Sequence, residues 1–272
     1  MSAPVADFAH LKSGMKFAWM AGDFGQIATY SSQAAEDFVR GIGIPAKASV
    51  LDVACGTGNT AVPAARAGAS VTGIDIATNL LSQARQRAAA ENLDIHFEEG
   101  DAEDLPFPSA SFDVVLSMFG AMFAPRPERV AAELLRVSKP GGVIAMANWT
   151  PEGFVGKTFQ LMHKMLPSPP CLPAPVLWGD EATVRERLSA DASSLKLTRQ
   201  KFWFHYPFSP RETVEFFRQY FGPTQVAFSR LDPAGQATLA SQLEALWSEH
   251  NTATDGTTRV ETEYLDVRAI RS

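Results

Sequence analysis

Two carboxylates and a glycine loop carry the clearest chemistry in this chain. Asp52 ends an apolar run over 48–53, Gly56 and Gly58 follow directly, and Asp75 stands 19 positions beyond Gly56. Glycines at these points allow backbone angles and a closeness of approach that a side chain forbids, so the loop is suited to holding a ligand. Read as G-x-G-x-x-G/A, with Gly56, Gly58 and Ala61, it points to a dinucleotide. Asp75 is then spaced to accept two ribose hydroxyls, charge-assisted bonds of roughly 1.5 to 3 kcal/mol each. It could equally cap the next helix, a task open to Thr78 as well. Asp52 argues against the dinucleotide, because a carboxylate beside the loop repels a pyrophosphate and attracts an ammonium group. A ligand with a nucleoside at one end and a cationic amino acid at the other satisfies both acids.

Other reactive side chains are scattered. His163, His205 and His250 are the titratable candidates for a general base near the expected mouth, and each is read first as a surface or structural residue. His96, on an apolar strand pattern over 94–98, is read as a buried histidine. No metal-ligand spacing connects the histidines with Cys55 and Cys171, so no metal site is expected. Cys55 lies in the glycine loop, where a small residue fits, and there is no G-x-S-x-G nucleophile elbow.

The elements that must position these residues follow from the pattern. Short apolar strands over 49–53, 70–76, 94–98, 112–118 and 143–149 alternate with helical segments over 60–67, 79–91 and 128–137. Such alternation predicts an α/β, doubly wound, mostly parallel sheet with helices on both faces and a ligand at the carboxyl ends of the strands. Residues 1–12 read as loose, and 34–39 as part of a helix. The proline-rich 166–175 excludes regular structure. Beyond it a helix over 181–189, a strand over 195–206, helices over 211–221 and 233–250, and a strand over 258–270 complete the pattern.

Composition bounds the function. The 272 residues carry 24 Lys plus Arg against 30 Asp plus Glu, a net charge of -6, without a basic block. That argues against a nucleic-acid partner. Two cysteines make no disulfide framework, the first 22 residues lack a continuous apolar core, and 114–124 is too short to span a bilayer. A cytoplasmic location without a membrane span is expected; the oligomeric state is not readable.

The string D-V-A-C-G-T-G-N over 52–59 resembles motif I of the class I S-adenosylmethionine-dependent methyltransferases. Gly100-Asp101-Ala102, the run L-P-F-P-S-A-S-F-D-V-V over 105–115, and the turn Lys139-Pro140-Gly141-Gly142 are similar to the same family, in its type 11/25-like subgroup of small-molecule and quinone methyltransferases. The resemblance implies a Rossmann-like seven-stranded sheet with an antiparallel last strand. It implies Asp52, Ala54, Gly56, Gly58, Asp75, Ile76, Asp101, Ala102 and Met118 as the S-adenosyl-L-methionine site, with Asp101 and Ala102 against adenine. In W-M-A-G-D-F over 19–24, Trp19, Gly22 and Phe24 resemble a lid over the methionine end.

On this reading 1–45 is an N-terminal helical lid, 46–208 with 257–272 the methyltransferase core, and 209–256 a helical cap insertion. The Asn/Asp-Pro-Pro-Tyr/Phe element of adenine and glutamine methyltransferases is missing after Met118, where an apolar Met-Phe rim points to a small acceptor with an apolar or aromatic body. The expected activity is in-line methyl transfer to such a molecule, the acceptor atom unspecified. Two alternatives remain: an NAD(P)-dependent oxidoreductase, motivated by the glycine loop and Asp75, and a non-catalytic S-adenosylmethionine-binding protein, motivated by the want of a convincing base.

Overall fold

The computed structural model describes residues 7–169 and 171–272. Three helices, α1 (Phe8–Met20), α2 (Phe24–Ala28) and α3 (Ser32–Ile42), precede the first strand. The core runs β1 (Ser49–Val53), α4 (Ala61–Arg66), β2 (Ser70–Asp75), α5 (Thr78–Ala90), β3 (Ile95–Glu99), β4 (Phe112–Met118), α6 (Pro127–Val137) and β5 (Ser138–Trp149). It continues through α7 (Phe154–Met165), α8 (Glu181–Leu188) and β6 (Ala192–Tyr206). Then come α9 (Pro210–Tyr220), α10 (Gly222–Ser229), α11 (Pro233–His250) and β7 (Thr258–Arg271).

Among the described residues seven strands form one sheet in the order β3-β2-β1-β4-β5-β7-β6. β1 is parallel to β2 and β4, and β7 is antiparallel to both β5 and β6. The central strands are mainly apolar because helices cover both faces, and Val50, Leu51, Val115, Leu116, Ile144 and Met146 are fully buried. Strand order reverses between β1 and β4, which opens a crevice at their carboxyl ends. The opposite ends are tied by Asp113, which accepts the N–H and hydroxyl of Ser49 at 2.8 and 2.6 Å and the Lys139 ammonium at 2.7 Å.

Several local readings are corrected. The described part of 1–12 is not loose: Asp7 accepts the His10 N–H as the cap of α1, while 1–6 lie outside the described residues. α7 and α10 form where no helix was expected. His96 is exposed, since β3 is the sheet's edge and only its Phe97 is buried. The proline-rich stretch keeps to expectation, since its described residues before Pro175 form no helix or strand and Pro170 lies outside the described residues; a 3-10 turn over Pro175–Gly179 follows and buries Trp178. The helices of 209–256 pack behind α1 and α2, not directly over the crevice: Gly22 bridges Phe221, and the Asp23 N–H donates to the Tyr220 carbonyl at 3.0 Å. No helix among the described residues is long and apolar enough to cross a membrane.

Candidate functional site

The crevice is a cavity of about 660 Å³, within the usual range for a small-molecule site. Its floor is the turn after β1. Ala54 leaves the strand at φ +55°, the Cys55 N–H donates to Ile74 at 3.0 Å, and the Gly58 N–H returns to Cys55 at 2.9 Å. Asp75, at the end of β2, fixes this turn from the side. One of its oxygens accepts the Gly56 N–H at 2.8 Å and the other the Ala77 N–H at 2.8 Å, at the start of α5. Burial pushes its pKa up, against those two bonds and a third from Ile76. Asp75 thus ties the loop to the residue before α5 while still lining the cavity, and α5 itself carries no side-chain cap.

Asp52 is placed differently from the expectation. It is fully buried beneath the loop, outside the cavity wall, with one oxygen accepting the Thr60 hydroxyl at 2.6 Å and the other unpartnered. Burial raises its pKa to about 7. Thr60, not Asp52, meets the cavity. Gly58 and Gly22 likewise lie off the wall: Gly58 packs on Ala84 and Phe97, and Gly22 on Tyr220.

Trp19, Phe24, Ala54, Gly56, Ile76, Asp101, Ala102 and Met118 do line the cavity together with Asp75. Asp101 follows β3 and is already engaged, pairing with Lys12 of α1 and accepting the Glu103 N–H at 2.9 Å. Lys12 also pairs with Glu103, a fully buried carboxylate held by Arg126 at 2.7 Å, and Lys16 pairs with Glu99. These contacts clamp α1 across the cavity mouth. No residue of α1 is itself buried, so these pairs and the ring contacts of Trp19 are its main hold.

After β4 the chain turns through Phe119, at φ +56°, a conformation costing a bulky residue about 1 to 3 kcal/mol. Stacking on Trp149, centroids 3.6 Å apart and planes 7° apart, helps to hold it. At Gly120 a Cβ would strike Ala54, so the β1 and β4 turns close against each other only with glycine there. Phe119 and Phe123 of the apolar rim, Thr57 and Asn59 of the loop, and Lys12 and Lys16 also line the cavity. The first four lie within motifs already recognised; the two lysines have no sequence signal, since their partners lie more than 80 positions away.

The candidate bases lie elsewhere. His163, on α7, accepts the Ser168 N–H; His250, at the end of α11, lies 3.0 Å from Lys157; and His205, on β6, is paired across the sheet with Arg259. None lines the cavity. Among the described residues no cluster could hold a metal ion, and Cys55 is buried, which raises its thiol pKa well above the ordinary range.

A family model described as a methyltransferase domain matches residues 51–146, from within β1 to within β5. An uncharacterised protein of Mycobacterium tuberculosis is 38% identical over 236 residues, 85% of this chain and 86% of that protein. A demethylmenaquinone methyltransferase of Deinococcus radiodurans is 41% identical over 116 residues, 41% of this chain and 48% of its own. The crystal structure of the YcgJ protein of Bacillus subtilis shares the fold with a TM-score of 0.59 at 18% identity, covering 88% of this chain and 99% of that one. With the strand order, the loop and the cavity at the switch point all in accord, the chain belongs to the class I S-adenosylmethionine-dependent methyltransferase family.

Proposed function

We propose that this protein binds S-adenosylmethionine in the cavity and transfers its methyl group to a small apolar or aromatic molecule. The observation that carries the reading is the cavity's polarity along the sheet. Acids sit at the ends of β2 and β3, the glycine loop lies at the middle, and an apolar rim lies after β4. Asp75 and Ile76 would hold the ribose and one face of the adenine, with Asp101 and Ala102 at its edge.

The site fits the cofactor on its own terms. The Thr57 hydroxyl is buried on the cavity wall without a partner, a donor that needs a ligand atom. A Cβ at Gly56 would meet nothing closer than Phe24 at 3.9 Å, so the loop's surface is open to a ligand. Asp52 would act one side chain removed from an ammonium group, through Thr60.

When bound, the cofactor supplies an electrophilic methyl carbon on a sulfonium. The chain's part is alignment and the exclusion of water, and alignment supplies roughly 7 to 11 kcal/mol in favourable cases. Trp19 and Phe24 would roof the site for this purpose, on the lid read for 1–45, of which 7–45 are described. The demethylmenaquinone methyltransferase relative supports a small-molecule acceptor, and the free cysteines suit a cytoplasmic setting.

Incubation with methyl-labelled S-adenosylmethionine and a panel of naphthols, hydroquinones, thiols and amines tests the activity. Labelled product with S-adenosylhomocysteine is expected; cofactor binding without label transfer to any member would favour the non-catalytic alternative.

A further inference from the structure

The acceptor class can be narrowed, on the reading just given, from the apolar end of the cavity. The charged residues on the cavity wall, Lys12, Lys16, Asp75, Glu99 and Asp101, belong to α1 and to the ends of β2 and β3. At the β4 end the wall is Met118, Phe119 and Phe123 below, with Trp19 and Phe24 above. Three of the polar side chains nearby, Ser31, Asn59 and Thr60, are committed within the protein. The Ser31 hydroxyl donates to the Ala28 carbonyl at 3.1 Å, the Asn59 amide donates to the same carbonyl at 2.9 Å, and the Thr60 hydroxyl donates to Asp52. A charged acceptor group would therefore be buried here without a partner.

Trp19 is the centre of this end. Its ring meets Phe24, Phe123 and Phe221 at centroid distances of 5.7, 5.1 and 5.7 Å, with interplanar angles of 88°, 66° and 74°. Those three rings come from α2, the 3-10 turn after β4 and the α9–α10 link, so Trp19 is gripped by three separate segments. The grip is rigid. A Cβ on Gly222 would overlap the carbonyl oxygens of Ala18 and Ala21, which flank Trp19, and Gly22 bridges Phe221 beside it. An indole wedged in this way presents a fixed aromatic surface to whatever enters, and edge or offset contacts between rings favour a flat partner over a saturated one of the same size.

We propose that this corner is the acceptor subsite, that it selects a flat, uncharged aromatic ring, and that Trp19 sets the selection. The neutral acceptor's nucleophilic atom forms its bond to the methyl carbon as the carbon–sulfur bond of the sulfonium breaks; with no side chain at this end to take the proton, that atom then releases it to solvent, leaving methylated acceptor, S-adenosylhomocysteine and a proton.

Calorimetric titration of the full chain, first with S-adenosylhomocysteine and then, when loaded, with three probes at pH 7, tests this. The probes are 2-naphthol, 2-naphthoate and decahydro-2-naphthol. The expected result is 2-naphthol binding at least tenfold tighter than either other probe. Measured at saturating S-adenosylhomocysteine, Trp19→Phe should keep the preference over the saturated ring, and Trp19→Leu and Phe123→Leu should shrink it severalfold. Equal binding of the carboxylate or the saturated ring, or a preference unchanged in Trp19→Leu, would overturn the proposal with the cofactor reading intact. Failure of the wild-type protein to bind S-adenosylhomocysteine would instead bring down that reading, and this proposal with it.

Discussion

Asp52 and Asp75 are two buried acids with different duties. Asp52 has no contact with the cavity and one unpartnered oxygen, so its ionisation is opposed chiefly by burial, and its pKa rises from 3.8 to about 7. The native state thus holds this proton more tightly than the unfolded chain. The stability that follows is full below about pH 4 and is lost as the pH rises through 7, an effect on the order of 4 kcal/mol. Asp52→Asn keeps an acceptor for Thr60 and removes the titration. Chemical unfolding of the ligand-free protein should show the variant gaining on the wild type between pH 4 and 8; parallel curves would mean that Asp52 does not titrate in this range. Asp75 is different, because its two backbone bonds and its place on the wall tie it to ligand binding. Asp75→Asn should weaken S-adenosylhomocysteine binding tenfold or more, and an unchanged affinity in a folded variant would place the ribose elsewhere.

At the scale of elements, α1 is the part whose stability is least its own. It buries no residue fully and is held by Lys12 and Lys16 on acids after β3, and by Trp19 in its aromatic seat. Such a helix opens locally without unfolding the sheet. Hydrogen exchange should therefore find the amides of 8–20 far less protected than those of β1 and β4, and S-adenosylhomocysteine should slow them. Lys16→Ala should change global stability by about 1 kcal/mol or less, since its pair with Glu99 is exposed and such pairs contribute little, yet speed exchange in α1. Equal protection of α1 and β1 would show that the lid opens only with the whole domain.

Across the whole molecule, what could be read in advance was what depends on local pattern. The alternation of short apolar strands with helices carried the mostly parallel sheet, because strands covered on both faces are built mainly from apolar residues, and the resemblance carried the seven strands and the antiparallel last one. The capping box at Ser209 and Glu212 marks the start of α9 in the same local way. Gly56 and Asp75 were legible from their spacing and Asp101 and Ala102 from the family resemblance, and all four line the cavity. What escaped depends on contacts distant in sequence. Lys12 has no sequence sign of Asp101, nothing before the fold says that Asp52 turns beneath the loop, and Phe119's left-handed backbone is set by Ala54 and Trp149. His96 was misread because an edge strand leaves one face to water while its pattern still looks apolar.

The most direct test of the central claim is calorimetric titration of the wild-type protein with S-adenosylhomocysteine and, in parallel, with NAD. Micromolar, one-to-one binding of S-adenosylhomocysteine with no heat from NAD is the predicted result. Binding of NAD alone, or of neither by folded protein, would contradict the assignment of the cavity between β2, β3 and β4.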